Sequence, residues 1–221
     1  MSAPVRPVTI DVISDVMCPW CYIGKRRLET ALASLREFPI TVRWRPYQLD
    51  PTLPPEGRDR RDYLESKFGG PERAKEIYSR IEDAGEQDGL DFNFDAIAVS
   101  PNTLDAHRVI HWAANDGPDV QDAVVERLFE LFFMEGAHIG DRKILVEVAR
   151  DAGMDGDIVA DLLETDRDLD LIKQDIEAAQ HMGVSGVPCF VIDEKFAVMG
   201  AQEPSHIVQA VRQAAMQRTG D

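Results

Sequence analysis

The chain has 221 residues, 44% of them hydrophobic, which suits one large globular domain or a domain with a sizeable insertion. Lys and Arg number 24 against 40 Asp and Glu, and the net charge of −16 argues against non-specific binding to nucleic acid or anionic lipid. The opening Met1-Ser2-Ala3-Pro4-Val5-Arg6-Pro7 has no apolar core, and no later window approaches a run of about eighteen apolar residues, so neither a secretion signal nor a membrane span is expected. With three cysteines, a catalytic pair in a reducing cytoplasm is a better account than a structural disulfide framework.

Val8-Thr9-Ile10-Asp11-Val12-Ile13 alternates β-branched and polar residues and reads as a strand, while Leu28, Leu32 and Leu35 recur at helical spacing further on. Between them, Met17-Cys18-Pro19-Trp20-Cys21-Tyr22-Ile23-Gly24 places two thiols where the strand gives way to the helix. Cys18 is thus expected at the helix N-terminus, where free backbone N–H groups and the positive end of the helix dipole favour a thiolate. Pro19 suits a first turn, since its missing N–H costs nothing there. Cys21, one turn further in, is the more shielded thiol that would resolve a mixed disulfide. The bland reading is half of a zinc site, completed from Cys189 or from His107 and His111 at i, i+4. Zinc normally needs a second full ligand pair, and the redox reading is preferred with no metal assigned.

Ile40-Thr41-Val42-Arg43-Trp44-Arg45-Pro46 reads as a second strand, parallel to the first and ended by its proline. Asp50-Pro51-Thr52-Leu53-Pro54-Pro55-Glu56-Gly57 is the exit from this half-domain. From about Arg58 to His181 everything reads as helical: Tyr63-Leu64 with Phe68, Ala74-Ile77-Ile81, Leu104-Val109-Trp112, Val124-Leu128-Leu131 and Leu145-Val148 are apolar stripes. Gly- and Pro-bearing breaks separate them, and Asn102, Asp141 and Asp155 are candidate N-caps. The Arg58-Asp59-Arg60-Arg61-Asp62 cluster reads as a solvated helix start. Strand character returns at Cys189-Phe190-Val191-Ile192-Asp193, paired with Phe196-Ala197-Val198-Met199 across a turn, and Glu203-Pro204 opens a last amphipathic helix.

This order, βαβ, a long helical insertion, then ββα, with Cys-x-x-Cys after the first strand, is what a thioredoxin-like α/β core needs. Residues 1–57 and 182–221 are expected to form that core and 58–181 the inserted all-α domain. In Ser185-Gly186-Val187-Pro188-Cys189 a proline enters a buried strand, which a cis Val187-Pro188 bond would explain and a trans proline starting the strand would also allow. A cis bond would leave main-chain groups free to pair with an extended substrate.

These motifs, with Trp44-Arg45-Pro46-Tyr47-Gln48-Leu49, Asn102-Thr103-Leu104-Asp105-Ala106-His107-Arg108, Ile139-Gly140-Asp141 and Gly200-Ala201-Gln202, make the chain resemble the cytosolic FrnE-like branch of the DsbA family, dithiol–disulfide oxidoreductases with a helical insertion in a thioredoxin fold. The resemblance implies that Cys18 attacks, Cys21 resolves and Pro188 forms a cis-proline wall. It further implies a substrate site made with Pro19, Trp20, Val187, Asn102 and His107. No cofactor is implied beyond glutathione as an optional thiol co-substrate. The partners implied are thiol- or disulfide-bearing proteins or small molecules, with a homodimer left open and a cytoplasmic location. Cys189 stands where an apolar residue is expected, and is either buried and inert or a third interacting thiol. The rival within the same resemblance is a glutathione-dependent isomerase or transferase, like 2-hydroxychromene-2-carboxylate isomerase or the kappa-class glutathione transferases, which use a serine where this chain has Cys18. His107 and His111 also read simply as partly buried helix residues, and Asp15 as a loop cap.

Overall fold

The computed structural model describes residues 7–218. Residues 1–6, where no leader is expected, lie outside the described residues, as do 219–221 at the far end of the expected core domain.

Strand β1 (Val8–Ser14) is followed by helix α1 (Pro19–Ala33) and strand β2 (Ile40–Pro46), which lies parallel to β1 from Val8↔Ile40 to Ser14↔Pro46. Ile10 and Val12 of β1 are buried, as the alternation of the strand requires, and Leu35 is buried just beyond the end of α1. β2 is an edge strand, and its outer side is closed in two ways. The Gln121 side chain accepts from Trp44 N–H at 2.9 Å and donates back to Trp44 C=O at 3.2 Å, imitating a neighbouring strand. Two residues on, Pro46 has no N–H to satisfy.

The segment after β2 departs from the all-helical expectation. Arg58–Asp59 (β3) pairs antiparallel with Val99–Ser100 (β4), tying both ends of the first helical pair together. Gly57 makes this possible: its φ is +78°, and a Cβ there would lie 2.5 Å from Val99 Cγ1 and 2.7 Å from Ser100 O. Between β3 and β4 run α2 (Arg60–Phe68) and α3 (Pro71–Gln87). Asp59 caps α2 by accepting from Asp62 N–H at 3.0 Å. The charge cluster here is only partly solvated: Arg58, Asp59, Arg61 and Asp62 are exposed, but Arg60 is buried.

Then come α4 (Leu104–Ala113), α5 (Pro118–Phe133), α6 (Arg142–Asp151), α7 (Gly156–Leu163) and α8 (Leu169–His181). Asp141 and Asp155 cap α6 and α7 as their positions predict. The break between α7 and α8 has no glycine or proline; Asp168 itself takes the left-handed conformation, φ +61°. Strands β5 (Cys189–Ile192) and β6 (Phe196–Met199) then form a hairpin, and α9 (Pro204–Arg218) closes the chain. The sheet order is β2-β1-β5-β6, with β5 antiparallel to both neighbours. α9 packs on β1, β5, β6 and α1, while α4, α5 and α8 pack against β2.

The insertion is fastened to the core through α1 and α5. Tyr22 stacks on Phe129 with centroids 4.8 Å apart and donates to Glu126 Oε1 at 2.9 Å. Lys25, 2% exposed, lies 2.5 Å from Glu29, 2.9 Å from Glu126 and 3.1 Å from Asp122, and Arg26 pairs with Glu126 as well. Burial alone would lower the Lys25 pKa, but the surrounding carboxylates reverse this and hold it charged.

Arg108 is fully buried and ends the α7 region: Nε donates to Arg167 O at 2.8 Å, Nη2 to Leu162 O and Thr165 O, and Nη1 to Asp105. Replacing it by Met removes those donors and takes the guanidinium from the Arg167 and Thr165 carbonyls, while Leu162 O keeps the Thr165 N–H and hydroxyl. Arg108→Met is therefore expected to lower stability by about 3 kcal/mol, read as a fall in the urea midpoint without a change in slope.

Candidate active site

Two sulfurs and one proline bond meet where the two ends of the fold come together. Cys18 is the N-cap of α1, with its backbone extended and no side-chain hydrogen bond to the helix, so its sulfur is left free to face β5. Its N–H donates to Asp15 O at 2.9 Å, and its C=O accepts from Cys21 N–H at 3.0 Å, which fixes the first turn. Across the gap, the Val187-Pro188 bond is cis. The Cys18 thiol donates to Val187 O at 3.8 Å, a contact spanning 169 residues of sequence. Pro188 O in turn accepts from Gly200 N–H at 2.7 Å, so the end of β6 holds the proline in place.

Gly24, unassigned by the sequence reading, decides how closely the two halves approach. A Cβ there would stand 2.7 Å from Pro188 Cγ and 3.2 Å from Phe190 Cζ. Only a glycine lets α1 lie against the proline ring.

Both thiols of the pair are buried, Cys18 at 4% and Cys21 at 1% exposure, so the resolving position is only slightly more shielded than the attacking one. All three cysteines are free. The Cys21 pKa is pushed well up by burial, and the neighbouring Cys18 raises it further by hydrogen bond and charge; the Ser14 hydroxyl and the Asp15 main chain pull weakly the other way. Cys189 is fully buried in a small cluster with Ile13, Tyr47, Ala179 and Val184, where burial raises its pKa too and keeps it a thiol.

The remaining candidates divide. Pro19 is buried at the first turn, Trp20 stands 38% exposed beside Cys18, and Val187 is half-buried. His107 contacts the strand-to-helix turn and the segment after β2: its Nε2 is 2.8 Å from Tyr47 O, so that nitrogen carries the proton, and 3.6 Å from Asp15 Oδ1. Asp15, fully buried, accepts from Leu49 N–H at 2.8 Å and Met17 N–H at 3.3 Å, tying the strand-to-helix turn to the 47–49 segment. Asn102 points elsewhere. Its Oδ1 accepts from Gln48 Nε2 and Leu104 N–H, and its Nδ2 donates to Leu53 O, so all its polar groups serve the chain around it. Thr103 holds the cap position of α4, but it is the Asn102 side chain that takes the first helical N–H. His111 lines a groove along the β2 edge, and His107 borders the same groove. Among the described residues no group of three or more His, Cys, Asp or Glu side chains is gathered as metal ligands.

Comparison with known proteins bears on the family and the fold. A family profile described as a DSBA-like thioredoxin domain matches residues 9–212. The uncharacterized protein YwbO of Bacillus subtilis is 30% identical over 190 residues, covering 85% of this chain and 88% of that one. The crystal structure of a "probable DsbA oxidoreductase" from Streptomyces coelicolor superposes with a TM-score of 0.85 at 30% identity, over 94% of this chain and 89% of that one. A 2-hydroxychromene-2-carboxylate isomerase shares the fold, with a TM-score of 0.70 at 15% identity over 96% and 98% of the two chains.

Two outcomes follow from the geometry. Gly24→Ala is expected to force α1 off Pro188, costing about 1–3 kcal/mol as overpacking does and slowing thiol exchange, as measured by denaturant titration and by the rate of reaction with a small disulfide. In reduced, folded protein, iodoacetamide is expected to modify Cys18 first. Cys21 and Cys189, with raised pKa values, should stay unmodified at neutral pH until the chain is unfolded, as peptide mapping would show.

Proposed function

The chain belongs to the DSBA-like thioredoxin domain family, and we propose that it is a thiol–disulfide oxidoreductase working through Cys18 and Cys21. The observation that carries the reading is the pair of thiols at the start of α1 beside a cis proline, with the Cys18 sulfur against the Val187 carbonyl. In the reducing direction, the Cys18 thiolate attacks one sulfur of a substrate disulfide and expels the other as a thiolate, which takes up a proton. Cys21 gives up its proton and attacks Cys18 Sγ, releasing the second substrate thiol and leaving a Cys18–Cys21 disulfide. The oxidising direction is the reverse of the same steps.

The Val187 main chain and Pro188 would hold an extended substrate beside the sulfurs, with Pro19 and Trp20 forming the near wall. His107 and Asp15 are assigned to the floor of the site, and Asn102 to the loop that supports it. Glutathione suits the thiol co-substrate, and a chain with three cysteines, two of them spaced as a redox pair, suits a reducing compartment such as the cytoplasm.

The shared fold with a 2-hydroxychromene-2-carboxylate isomerase supports a second reading, in which glutathione supplies the only reacting thiol. The two readings make opposite demands on each sulfur. For the dithiol enzyme, Cys18→Ser abolishes reduction of insulin by dithiothreitol and Cys21→Ser accumulates covalent complexes with substrate. For the isomerase, Cys18→Ser keeps or improves turnover of a hydroxychromene-type acid with glutathione, and Cys21 is dispensable. The first pattern is expected, in insulin-turbidity and small-molecule assays of wild type and both variants. Small-molecule turnover by Cys18→Ser, with no insulin reduction by wild type, would overturn the proposal.

A further inference from the structure

A buried hydroxyl without a hydrogen bond costs free energy, so its presence calls for an explanation. Ser14, the last residue of β1, carries such a group: it is 4% exposed, and its Oγ has no hydrogen-bond partner among the described residues. Its main chain is engaged, since Ser14 O accepts from Tyr47 N–H at 3.0 Å. It is the side chain that is left over.

Strand geometry fixes what that side chain faces. Val12 and Phe190 stand opposite each other in the β1–β5 ladder, so their side chains share one face of the sheet, while Ile13 and Cys189 face the other side with Tyr47. α1 covers the Val12 face, because a Cβ on Gly24 would stand 3.2 Å from Phe190 Cζ. Ser14 lies two residues beyond Val12 and points the same way. Cys21 lies three residues before Gly24, on the same side of α1 and one turn nearer its start. A βαβ crossover runs its helix back along the first strand, so one turn toward the start of α1 is one step toward the end of β1. That step brings Cys21, 1% exposed, over Ser14. Two tight turns hold it there, closed by Cys18 N–H on Asp15 O at 2.9 Å and Cys21 N–H on Cys18 O at 3.0 Å. The weak downward pull of the Ser14 hydroxyl on the Cys21 pKa agrees with this placement.

A neutral thiol sulfur is a weak acceptor, whereas a thiolate is charged and draws donors in. The hydroxyl therefore has little to bond in the thiol state and a strong acceptor beside it once Cys21 ionises. We propose that Ser14 is the donor that stabilises the Cys21 thiolate as it attacks the Cys18 mixed disulfide. Ser14 acts in resolution and not in the first attack. The inference rests on the dithiol function proposed above and adds no step to it. Cys21 loses its proton to solvent, its sulfur bonds to Cys18 Sγ, the bond between Cys18 and the substrate sulfur breaks, and the substrate leaves as a thiolate. The hydroxyl keeps its own proton throughout.

The test mixes the reduced full chain with one equivalent of the neutral disulfide 4,4′-dithiodipyridine in a stopped-flow spectrometer and follows release of 4-thiopyridone. The first thiopyridone reports attack by Cys18. The reagent is then spent, so a second thiopyridone comes from resolution by Cys21, and comparing the two phases within one sample cancels any partial loss of folded protein. Removing one hydrogen bond to a charged group lowers the thiolate fraction about tenfold, and the greater nucleophilicity of the less stabilised thiolate returns about half of that on a logarithmic scale. Ser14→Ala is therefore expected to slow the second phase about three- to fourfold at neutral pH and to leave the first unchanged. Ser14→Thr, which keeps the hydroxyl, is expected to retain both phases of wild type. An unchanged second phase in Ser14→Ala, equal slowing of both phases, or equal slowing by the Ala and Thr variants would overturn the role of the hydroxyl alone. A wild type that releases no second thiopyridone would overturn the dithiol function and this inference with it.

Discussion

The close approach of α1 to the cis Val187-Pro188 bond is the constraint on which the rest of the structure depends. It joins a helix near the start of the chain to a strand entered 169 residues later, and it is possible because Gly24 offers no Cβ to the proline ring. β1 carries both partners, holding α1 at its C-terminal end and pairing with β5 from Ile10↔Ile192 to Ile13↔Cys189. The sulfur of Cys18 therefore sits where the first and last parts of the core meet, and any slip in the β1–β5 register would carry the proline away from it.

An insertion as long as this one separates those two parts in sequence, so its own docking must not pull them apart. The structure meets this demand by fastening the insertion to the same helix that bears the thiols. Tyr22, Lys25 and Arg26 of α1 all engage α5, through a ring stack and through Glu126 and Asp122. Burial would raise the Glu126 carboxyl pKa, but Lys25 and Arg26 outweigh it and hold it below the ordinary range. Because the folded pKa is lowered, this contact stabilises the fold above the unfolded carboxylate pKa and loses its effect as pH falls through the folded value. Docking of the insertion and placement of the dithiol are thus parts of one contact surface, with Trp44 of β2 joined in through its indole N–H on Asp122.

What could be read in the sequence was local chemistry with a period. The alternation of Val8–Ile13, the proline at Pro19, the end of β2 at Pro46 and the Asp193-Glu194-Lys195 turn each follow from backbone rules that act within a few residues. The β3–β4 ladder was not legible, because two-residue strands have no period and their pairing spans the whole of α2 and α3. Nor was the break at Asp168, where a non-glycine residue takes a left-handed conformation without a local marker. Arg60 was misread for a related reason: in a run of mixed charges nothing local tells which side chain turns inward, and the aromatic faces that receive it, Tyr78 and Phe132, lie on α3 and α5. Asn102 shows the limit of carrying a role over by resemblance, since its side chain is fully engaged with Gln48, Leu53 and Leu104. Asp15 read as a loop cap, and it is one, but its second oxygen also fastens the 47–49 segment beneath the thiols.

The electrostatics of the pair bear on the order of events that the proposed chemistry requires. Cys21 is held as a thiol chiefly by burial and then by its neighbour, whose hydrogen bond and charge both oppose a second thiolate at that spacing. Once Cys18 enters a mixed disulfide it can no longer be charged, and the charge contribution vanishes while the pull of the Ser14 hydroxyl and the Asp15 main chain remains. The pKa of Cys21 must then fall, by the part that the charge on Cys18 had imposed. The resolving thiol is thereby suppressed while Cys18 is free and released when Cys18 is engaged, which favours attack before resolution with no movement of the backbone. Burial, the larger cause, is untouched by that change. It keeps Cys21 from reacting with anything but the sulfur one turn away.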